Sequence, residues 1–233
     1  MRLAEMFLNA LYPRGLTCDL CGRDARFGES GPAAYLCPAC LALLRPAPAL
    51  SPPDGLDGAA AGLLYTPEAA RLMHRFKYGQ GRYLAETFTA FLPLPEAAFA
   101  CILAVPLYPA QEKRRGYNQS ALLARCISTR TGIPVDSSLL LRTRDTASQT
   151  TLDHEARARN VRGAFRLAGE AQGLSLLLVD DVFTTGATLG ECARMLKAAG
   201  AGNVYALAAC AAELYAGGAY VDRERGSDFF DAF

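Results

Sequence analysis

The second half of the chain carries an apolar run that ends in two adjacent acids. Residues 175–180 read SLLLVD, and DVFTTGATL follows without a break. An uninterrupted apolar run of this length is typical of a parallel strand that is covered on both faces. The small and hydroxylated residues after it predict a turn, and residues 188–199 predict a helix that ends at Gly200. The segment therefore favours one strand–turn–helix unit of an open α/β sheet.

Strand and helix patterns alternate along most of the remaining chain. Strands are predicted at residues 59–66, 101–105, 137–142 and 204–210, of which 137–142 has the weakest pattern. Helices are predicted at residues 66–79, 82–92, 118–131 and 153–160. Thr66 and Pro67 suit the start of the first of these helices. Alternating elements with continuous apolar strands predict a parallel-sheet α/β fold.

The composition excludes several classes of protein. Of the 233 residues, 51% are hydrophobic and 20% are charged, which excludes wholesale disorder. The net charge of +1 excludes a chain-wide basic field for nucleic acid or membranes. No apolar run reaches the roughly 18 residues of a spanning helix. The N-terminus, with Glu5 and Asn9 in its apolar stretch, suits a short amphipathic helix before Pro13 better than a signal peptide. We therefore expect a cytoplasmic protein without membrane insertion.

The charge is nevertheless unevenly distributed. Residues 110–170 hold eleven Lys and Arg residues against six Asp and Glu residues, a local net charge of +5. A basic middle segment in a nearly neutral chain indicates a local anionic ligand. Lys113, Arg114 and Arg115 are consecutive cations within this segment. The alternative for these three residues is a solvated basic turn.

Four of the eight cysteines form two Cys-x-x-Cys pairs. Fifteen residues separate Cys18 and Cys21 from Cys37 and Cys40, a spacing that suits a tetrahedral zinc site. Disulfides would suit a secreted chain, for which the sequence offers no export signal. Four thiolates leave no open position for water, so we predict a structural zinc ion. Metal binding would supply on the order of 10 kcal/mol to a segment that is too small for its own core.

The turn after the two acids has the chemistry of a phosphate site. It offers consecutive backbone N–H groups, hydroxyl donors and a helix N-terminus from Thr184, Thr185, Gly186, Ala187 and Thr188. Asp180 and Asp181 do not bind phosphate, but they accept hydrogen bonds from vicinal hydroxyls such as those of a ribose ring. The segment therefore predicts a ribose 5-phosphate site. An ordinary strand–turn–helix, in which Asp181 only caps the helix, is the alternative.

Several motifs together resemble one protein family. VDDVFTTGAT resembles the phosphoribosyl-pyrophosphate (PRPP) binding loop of type I phosphoribosyltransferases. Further segments resemble the ComF family: Val105-Pro106-Leu107, RRGYNQS at residues 114–120, Lys77-Tyr78-Gly79, and the set Arg142, Gln149, Leu152, Arg157, Asn160, Val161, Gly163, Ala164 and Phe165. The two Cys-x-x-Cys pairs complete the resemblance, which spans about residues 17–210.

The resemblance implies a fold, a chemistry and site residues. ComF-like proteins join a small zinc module to a phosphoribosyltransferase domain and are associated with uptake and handling of transforming DNA. In the wider superfamily, PRPP binds with Mg²⁺, and pyrophosphate leaves as a nucleophile attacks the anomeric carbon. Asp180 and Asp181 would then hold the ribose hydroxyls, and the Thr184 to Thr188 turn would hold the 5-phosphate.

Basic residues would complete such a site. Lys113, Arg114 and Arg115 are candidates for contacts with the pyrophosphate. Arg142, Arg144, Gln149, Arg157 and Arg159 lie in what would be the loop that closes over PRPP and excludes water. For each loop arginine alone, plain surface charge is the alternative.

The predicted organisation is a zinc module with a linker at 1–58, a phosphoribosyltransferase-like domain at 59–221, and an acidic, aromatic tail at 222–233. Three functions stay open. The chain is a phosphoribosyltransferase with an unidentified acceptor, a non-catalytic sensor of PRPP or a nucleotide, or an accessory protein that binds single-stranded DNA alongside DNA-processing proteins. The sequence does not specify the acceptor or the oligomeric state.

Overall fold

The computed structural model of the chain describes residues 17–24, 31–78, 81–94, 99–145 and 159–212. Its helices are α1 (Pro38–Leu41), α2 (Pro67–Tyr78), α3 (Leu84–Thr89), α4 (Pro109–Arg115), α5 (Gln119–Thr131) and α6 (Ala187–Ala198). Its strands are β1 (Gly58–Leu64), β2 (Cys101–Ala104), β3 (Leu140–Arg142), β4 (Phe165–Leu167), β5 (Leu176–Phe183) and β6 (Val204–Ala211). The predicted N-terminal helix, most of the predicted helix at 153–160, and the tail at 222–233 lie outside the described residues.

Four strands form one parallel sheet. The strand order is β1-β6-β5-β2, and each neighbouring pair is parallel. Strands β5 and β6 occupy the centre, and their apolar residues are almost completely buried. The predicted parallel-sheet α/β fold is therefore confirmed.

Alternate side chains of β5 enter two apolar cores. Leu177 and Val179 pack in a core with α2, α3 and α5, whereas Leu176 and Leu178 pack in a core with α6 and the β3–β4 pair. All four side chains are fully buried. At about 1.5–3 kcal/mol for each buried aliphatic side chain, these residues are a main source of the sheet's stability. The central strand is thereby fixed, and with it the position of everything at its carboxyl end.

Residues 109–115 form helix α4, where the sequence analysis describes only a basic turn. Pro109 occupies its first turn, and Gly116 ends it with a φ of 79°. The Gly116 N–H donates to the Glu112 carbonyl over 2.7 Å. Proline at the start and glycine just past the end is a familiar helix pattern, so the sequence did carry a signal for α4.

A second, antiparallel pair of strands also differs from the prediction. β3 is shorter than the predicted strand at 137–142, and it pairs with β4, which the sequence analysis does not predict. The helix predicted at 82–92 is also shorter, since α3 covers only Leu84–Thr89. Helix α5 begins one residue later than predicted because Asn118 caps it, accepting a hydrogen bond from the Ser120 N–H over 2.9 Å.

Within the described ranges, we find no helix with the length and apolar character to span a membrane.

Candidate active site

Asp180 and Asp181 lie inside β5, which continues to Phe183 rather than ending at residue 180 as predicted. Successive residues of a strand point to opposite faces of the sheet. Asp180 therefore lies on the face of Leu178, and Asp181 lies on the face of Val179. β2 pairs with β5 only as far as Val179, so both acids lie where the neighbouring strand has already ended.

Asp180 is held by two hydrogen bonds to one oxygen. The Ser120 hydroxyl donates to Asp180 Oδ1 over 3.0 Å, and the Asp181 N–H donates to the same atom over 2.8 Å. Desolvation, and then the negative charge of Asp181, raises the pKa of Asp180 to about 7, although both hydrogen bonds and Lys77 act in the opposite direction. Asp180 is thus a carboxyl group that exchanges its proton near neutral pH.

Asp181 forms an ion pair with Lys77 from the end of α2. Lys77 Nζ lies 3.1 Å from Asp181 Oδ1, and the two side chains are only 21% and 16% exposed. Burial alone would lower the pKa of Lys77, but the charge of Asp181 and its hydrogen bond hold that pKa above its ordinary value. A partly buried cation therefore stands directly beside the two acids.

The turn after β5 leads into α6 without a gap. Gly186 has a φ of 73° and precedes the first helical residue, Ala187. A Cβ atom at Gly186 would lie 2.9 Å from both Pro53 Cγ and Phe183 Cζ, so only glycine fits there. Thr185 Oγ1 accepts a hydrogen bond from the Ala187 N–H over 3.3 Å. The local sequence thus builds a tight turn with a helix N-terminus behind it.

The acids and the turn line one cleft of about 300 Å³ at the carboxyl ends of the parallel strands. Of the predicted site residues, the lining includes Asp180, Asp181, Thr184, Gly186, Ala187, Thr188, Arg115 and Arg142. Thr185 belongs to the same turn but is not part of the lining. The structure therefore brings together the acids, most of the hydroxylated turn and two of the predicted cations.

Arg115 and Arg142 approach the cleft from different elements. Arg115 ends α4 and donates to Gln119 Oε1 over 3.0 Å, with its guanidinium 5.4 Å from the Tyr78 ring centroid. Arg142 ends β3 and lies 5.4 Å from the Phe165 ring centroid. Desolvation lowers the pKa of Arg142, against the opposing effect of Asp180. Two cations from different elements thus line the cleft, which suits an anionic ligand.

The remaining predicted cations lie elsewhere. Lys113 and Arg114 are exposed on α4 and do not line the cleft. Arg144 donates to the carbonyls of Asn160 and Arg162, over 3.0 and 2.7 Å, and so ties the chain after β3 to the chain before β4. Arg159 is exposed, and Gln149 and Arg157 lie outside the described residues.

The cleft also contains polar residues that the sequence analysis did not place in the site. These are Tyr65, Lys77, Tyr78, Gln111 and Ser120. Lys77 and Ser120 lie in two of the motifs that carry the family resemblance, so a signal for them was present. Tyr65 and Gln111 belong to no motif that the sequence shows. Tyr65 reaches the cleft because it follows β1 of the sheet, and Gln111 reaches it because it lies on α4.

The four predicted metal ligands converge at the opposite end of the chain. The Sγ atoms of Cys18, Cys21, Cys37 and Cys40 all lie within 4.8 Å of one another. The sulfurs of Cys21 and Cys37 lie 3.9 Å apart, close to the spacing that two sulfurs 2.3 Å from one zinc ion would have. Burial raises the pKa of Cys18, but hydrogen bonds from backbone N–H groups outweigh it and lower that pKa to about 6. Burial and the neighbouring cysteines raise the pKa of Cys40 instead. The convergence of the four sulfurs positions the cluster to hold one metal ion.

This cysteine cluster is attached to the rest of the protein through α2 and α3. Cys18 and Cys40 pack in the same core as α2, α3 and α5. Arg75 of α2 donates to the Asp19 carbonyl, and Thr87 of α3 donates to the Asp19 carboxylate. Helix α2 therefore contacts the cysteine segment through Arg75 and brings Lys77, two residues later, to the cleft.

The fold and the two sites define an α/β protein with a polar cleft at the carboxyl ends of its parallel strands and a cluster of four cysteines positioned to hold a metal ion. DNA utilization protein YhgH of Salmonella typhimurium is 34% identical over 208 residues, which cover 83% of this chain and 89% of that protein. Competence protein F of Haemophilus influenzae is 34% identical over 152 residues, which cover 58% of this chain and 65% of that protein. The chain therefore belongs to the ComF family, as its motifs indicated.

No family model matches the chain. Among solved structures, glutamine phosphoribosylpyrophosphate (PRPP) amidotransferase from B. subtilis, complexed with ADP and GMP, is similar over 58% of this chain and 30% of that chain, with 19% sequence identity and a TM-score of 0.39.

Proposed function

We propose that this protein binds PRPP with Mg²⁺ and transfers its phosphoribosyl group to an acceptor, with release of pyrophosphate. One observation carries the proposal: two adjacent carboxylates and a hydroxylated turn at a helix N-terminus line the same cleft. The carboxylates suit the two ribose hydroxyls, and the turn suits the 5-phosphate. Neither group alone would be specific for PRPP, but PRPP requires both at adjacent positions.

The turn from Thr184 to Thr188 would hold the 5-phosphate. Backbone N–H groups at the start of α6 are directed toward the turn, and the helix dipole favours an anion there. Thr184 and Thr188 line the cleft and can donate from their hydroxyls. Gly186 lets the turn pack closely against Pro53 and Phe183, which fixes the position of the helix N-terminus.

Asp180 and Asp181 would accept hydrogen bonds from the ribose hydroxyls. When PRPP arrives, Lys77 and Arg115 would face the pyrophosphate, because both line the cleft beside the acids. Oxygen ligands of the acids and of PRPP itself suit Mg²⁺, which when bound neutralises charge on the leaving pyrophosphate. The positive charge of Lys77 beside Asp181 would reduce the repulsion between the two acids and the negative charges of PRPP.

The transfer step breaks one bond and makes one. The bond between C1 of the ribose and the pyrophosphate oxygen breaks, and its electron pair leaves with pyrophosphate. A nucleophile on the acceptor supplies the electron pair of the new bond to C1. The ribose carries oxocarbenium-like positive charge in between, as in glycoside hydrolysis, and the adjacent carboxylates stabilise that charge.

The cysteine cluster would hold a structural zinc ion. Four sulfur ligands leave no position for substrate or water, so the ion has no part in the transfer step. Its proposed role is to stabilise the segment that packs against α2 and α3.

A second role in nucleic-acid binding is favoured by the exposed cations of α4. Lys113 and Arg114 project into solvent beside the cleft rather than into it. The printed names of the relatives, DNA utilization protein and Competence protein F, support a role in DNA uptake. We propose that these cations bind single-stranded DNA weakly and without sequence preference. The cytoplasmic location expected from the sequence stays a prediction.

The test of the proposed function has two stages. Calorimetric titration with PRPP and Mg²⁺ should show binding to the natural protein and none to the double variant Asp180→Asn, Asp181→Asn. Pyrophosphate release is then measured with PRPP, Mg²⁺ and a panel of bases, amines and oligonucleotides. Binding without release for any acceptor would favour a sensor over an enzyme, and absence of PRPP binding would overturn the proposal.

A further inference from the structure

A second depression, of about 510 Å³, lies next to the cleft. Its apolar floor is formed by Leu20 from the cysteine segment and by Pro67 and Ala70 from the first turns of α2. None of these three residues lines the first cleft, and nothing in the proposed PRPP site uses this depression.

Tyr65 is the wall that the depression shares with the cleft. It follows the carboxyl end of β1, so it lies at the same edge of the sheet as the acids of β5. Burial raises the pKa of Tyr65, and among the charged groups both Lys77 and Asp181 act on it. The depression therefore adjoins the cleft on the side of Asp181, where the ribose of PRPP is expected.

Three basic side chains of α2 form the rim. Arg71, His74 and Arg75 lie on the exposed face of the helix, opposite its buried residues. Tyr78 lies one helical turn after His74 on the same exposed face of α2, and the two ring centroids lie 5.0 Å apart. Tyr78 also lines the cleft. The rim thus extends from the cysteine segment to the proposed PRPP site.

The positive charge of this rim is only partly balanced. Arg75 donates to the Asp19 carbonyl and the Tyr83 hydroxyl, both of which are uncharged groups. Arg71 pairs with Glu68 over 3.1 Å, but the Arg71 side chain is 67% exposed, and ion pairs at that exposure exchange readily. An incoming anion can therefore displace Glu68 from Arg71 and approach the charge of Arg75, whose guanidinium is held in place by its two hydrogen bonds.

We propose that this depression is the acceptor subsite and that it takes a planar aromatic acid, with the ring on the Tyr65 side and the carboxylate or phosphate on Arg71 and Arg75. The inference rests on the proposed phosphoribosyl transfer and deepens it by naming the class of acceptor. An apolar floor with an aromatic wall selects a flat ring, and a cationic rim selects an acidic substituent. A neutral nucleobase would leave the rim unused.

Placement beside Tyr65 also fits the transfer step. A nitrogen of the acceptor ring or of its amino group supplies the electron pair of the new bond to C1. The C1–O bond to pyrophosphate breaks, its electron pair leaves with pyrophosphate, and any N–H proton of the acceptor is released to solvent.

The experiment compares acids with their neutral counterparts. Nicotinate and nicotinamide, orotate and uracil, and 4-aminobenzoate and 4-aminobenzamide are tested by saturation-transfer NMR on the full chain, with PRPP and Mg²⁺ present. At least one acid should bind about tenfold more tightly than its counterpart, the scale of one charge-assisted hydrogen bond. Arg71→Glu should reduce that binding about tenfold, and Arg75→Lys should reduce it less.

Controls separate this inference from the proposed function. Arg125→Glu, on the exposed face of α5 and away from both pockets, should leave acid binding unchanged. PRPP binding is measured in the same samples by calorimetry. If PRPP binds but no acid does, the acceptor subsite is overturned and the proposed function stands; if PRPP does not bind, the proposed function fails and the inference fails with it. Two further results would overturn the acceptor subsite. One is acid binding that is insensitive to both Arg71→Glu and Arg75→Lys. The other is Arg71-dependent binding of a thymidylate hexamer without binding of any acid.

Discussion

The cysteine cluster takes its four sulfurs from residues 18–40, whereas the cleft takes its lining from residues that range from Tyr65 to Ala212. In the cluster, two short turns each bring a pair of sulfurs together, so short-range spacing does most of the assembly. In the cleft, Lys77 reaches Asp181 and Ser120 reaches Asp180 only after two helices, α2 and α5, have packed on the sheet. The first site therefore forms with a local segment, and the second forms only with the whole domain.

Because of this difference, substitutions in the two regions should have different effects. Loss of a metal ligand should remove folding energy from one segment and act mainly on stability. Loss of a cleft side chain should act mainly on ligand affinity, because the sheet beneath it is held by two apolar cores.

The largest effect is expected from Cys18→Ser, because Cys18 is buried and contributes to both the cluster and the core. The apparent free energy of zinc binding to such sites is about 10–16 kcal/mol, comparable to the stability of a whole domain. We expect loss of bound zinc, measured by elemental analysis, and a large drop in melting temperature, measured by calorimetry.

Cys126→Ser is the matched control, since Cys126 is half-buried on α5 and lies outside the cluster. PRPP affinity should persist in whatever Cys18→Ser protein stays folded. Complete loss of that affinity in folded protein would show that the two regions are not separable. Absence of zinc from the carefully purified natural protein would refute the zinc site itself.

A smaller but local effect is expected from Thr185→Asp. The new carboxylate would lie in the turn that is proposed to hold the 5-phosphate, although Thr185 itself does not line the cleft. Two like charges about 8 Å apart near a surface repel by about 2 kcal/mol, so PRPP affinity should fall about thirtyfold in calorimetry, with little change in melting temperature. Thr129→Asp, an exposed threonine on α5, controls for added charge. An unchanged affinity in Thr185→Asp would mean that the phosphate lies elsewhere.

The same two regions show what sequence reasoning can reach. The convergence of the four cysteines and the β5–turn–α6 unit are predictable from the sequence because their residues are consecutive or closely spaced. The apolar run predicts a strand that ends at Asp180, but pairing with β6 extends β5 to Phe183. The short β3–β4 pair was not predicted, because three-residue strands from distant parts of the chain carry almost no periodic signal.

Residues that reach a site through tertiary packing are the ones that sequence reasoning missed. Lys77 was present in a recognised motif, but its role depends on where α2 ends relative to β5. Conversely, Lys113, Arg114 and Arg115 were treated as one basic group. Formation of α4 directs Arg115 toward the cleft and leaves the other two in solvent, because consecutive residues of a helix point in different directions.

A moderate, pH-dependent effect is expected from Asp180. Its pKa is about 7 in the folded protein, against an ordinary value of 3.8. Between these values the folded state binds more protons than the unfolded state, so this group's contribution to stability falls as pH rises from about 4 to 7 and stays at its lowest above 7. Asp180→Asn removes this contribution. The melting temperature of the natural protein, relative to the variant, should therefore fall as pH is raised from 5 to 8.

The measurement is a series of calorimetric melting scans on the natural protein and Asp180→Asn across that range. Taking the difference between the two removes the titration of groups such as Glu191, whose pKa is lowered by its hydrogen bond to Arg194. Asp136→Asn provides a matched control with the opposite sign, because hydrogen bonds from Ser138 lower the pKa of Asp136 and its stabilising effect is lost only in acid. A difference that rises with pH would contradict the assignment for Asp180.

The smallest effect on PRPP is expected at Lys113 and Arg114, and it separates two uses of one basic helix. Both side chains are exposed and lie outside the cleft lining, so the double variant Lys113→Ala, Arg114→Ala should change PRPP affinity less than about twofold, as expected for a surface site. Arg115→Ala should lower it about tenfold, since Arg115 lines the cleft.

For single-stranded DNA, we expect the reverse: the double variant should lose more affinity than Arg115→Ala. Oligonucleotide binding is measured by fluorescence anisotropy at two salt concentrations. It should weaken in the double variant, and the slope of log affinity against log salt concentration should be shallower by about one to two, because fewer counterions are released. Saturating PRPP with Mg²⁺ should then compete only weakly with the oligonucleotide. Strong competition, or equal losses for both ligands in both variants, would show that α4 serves a single anion site and that its exposed cations have no separate partner.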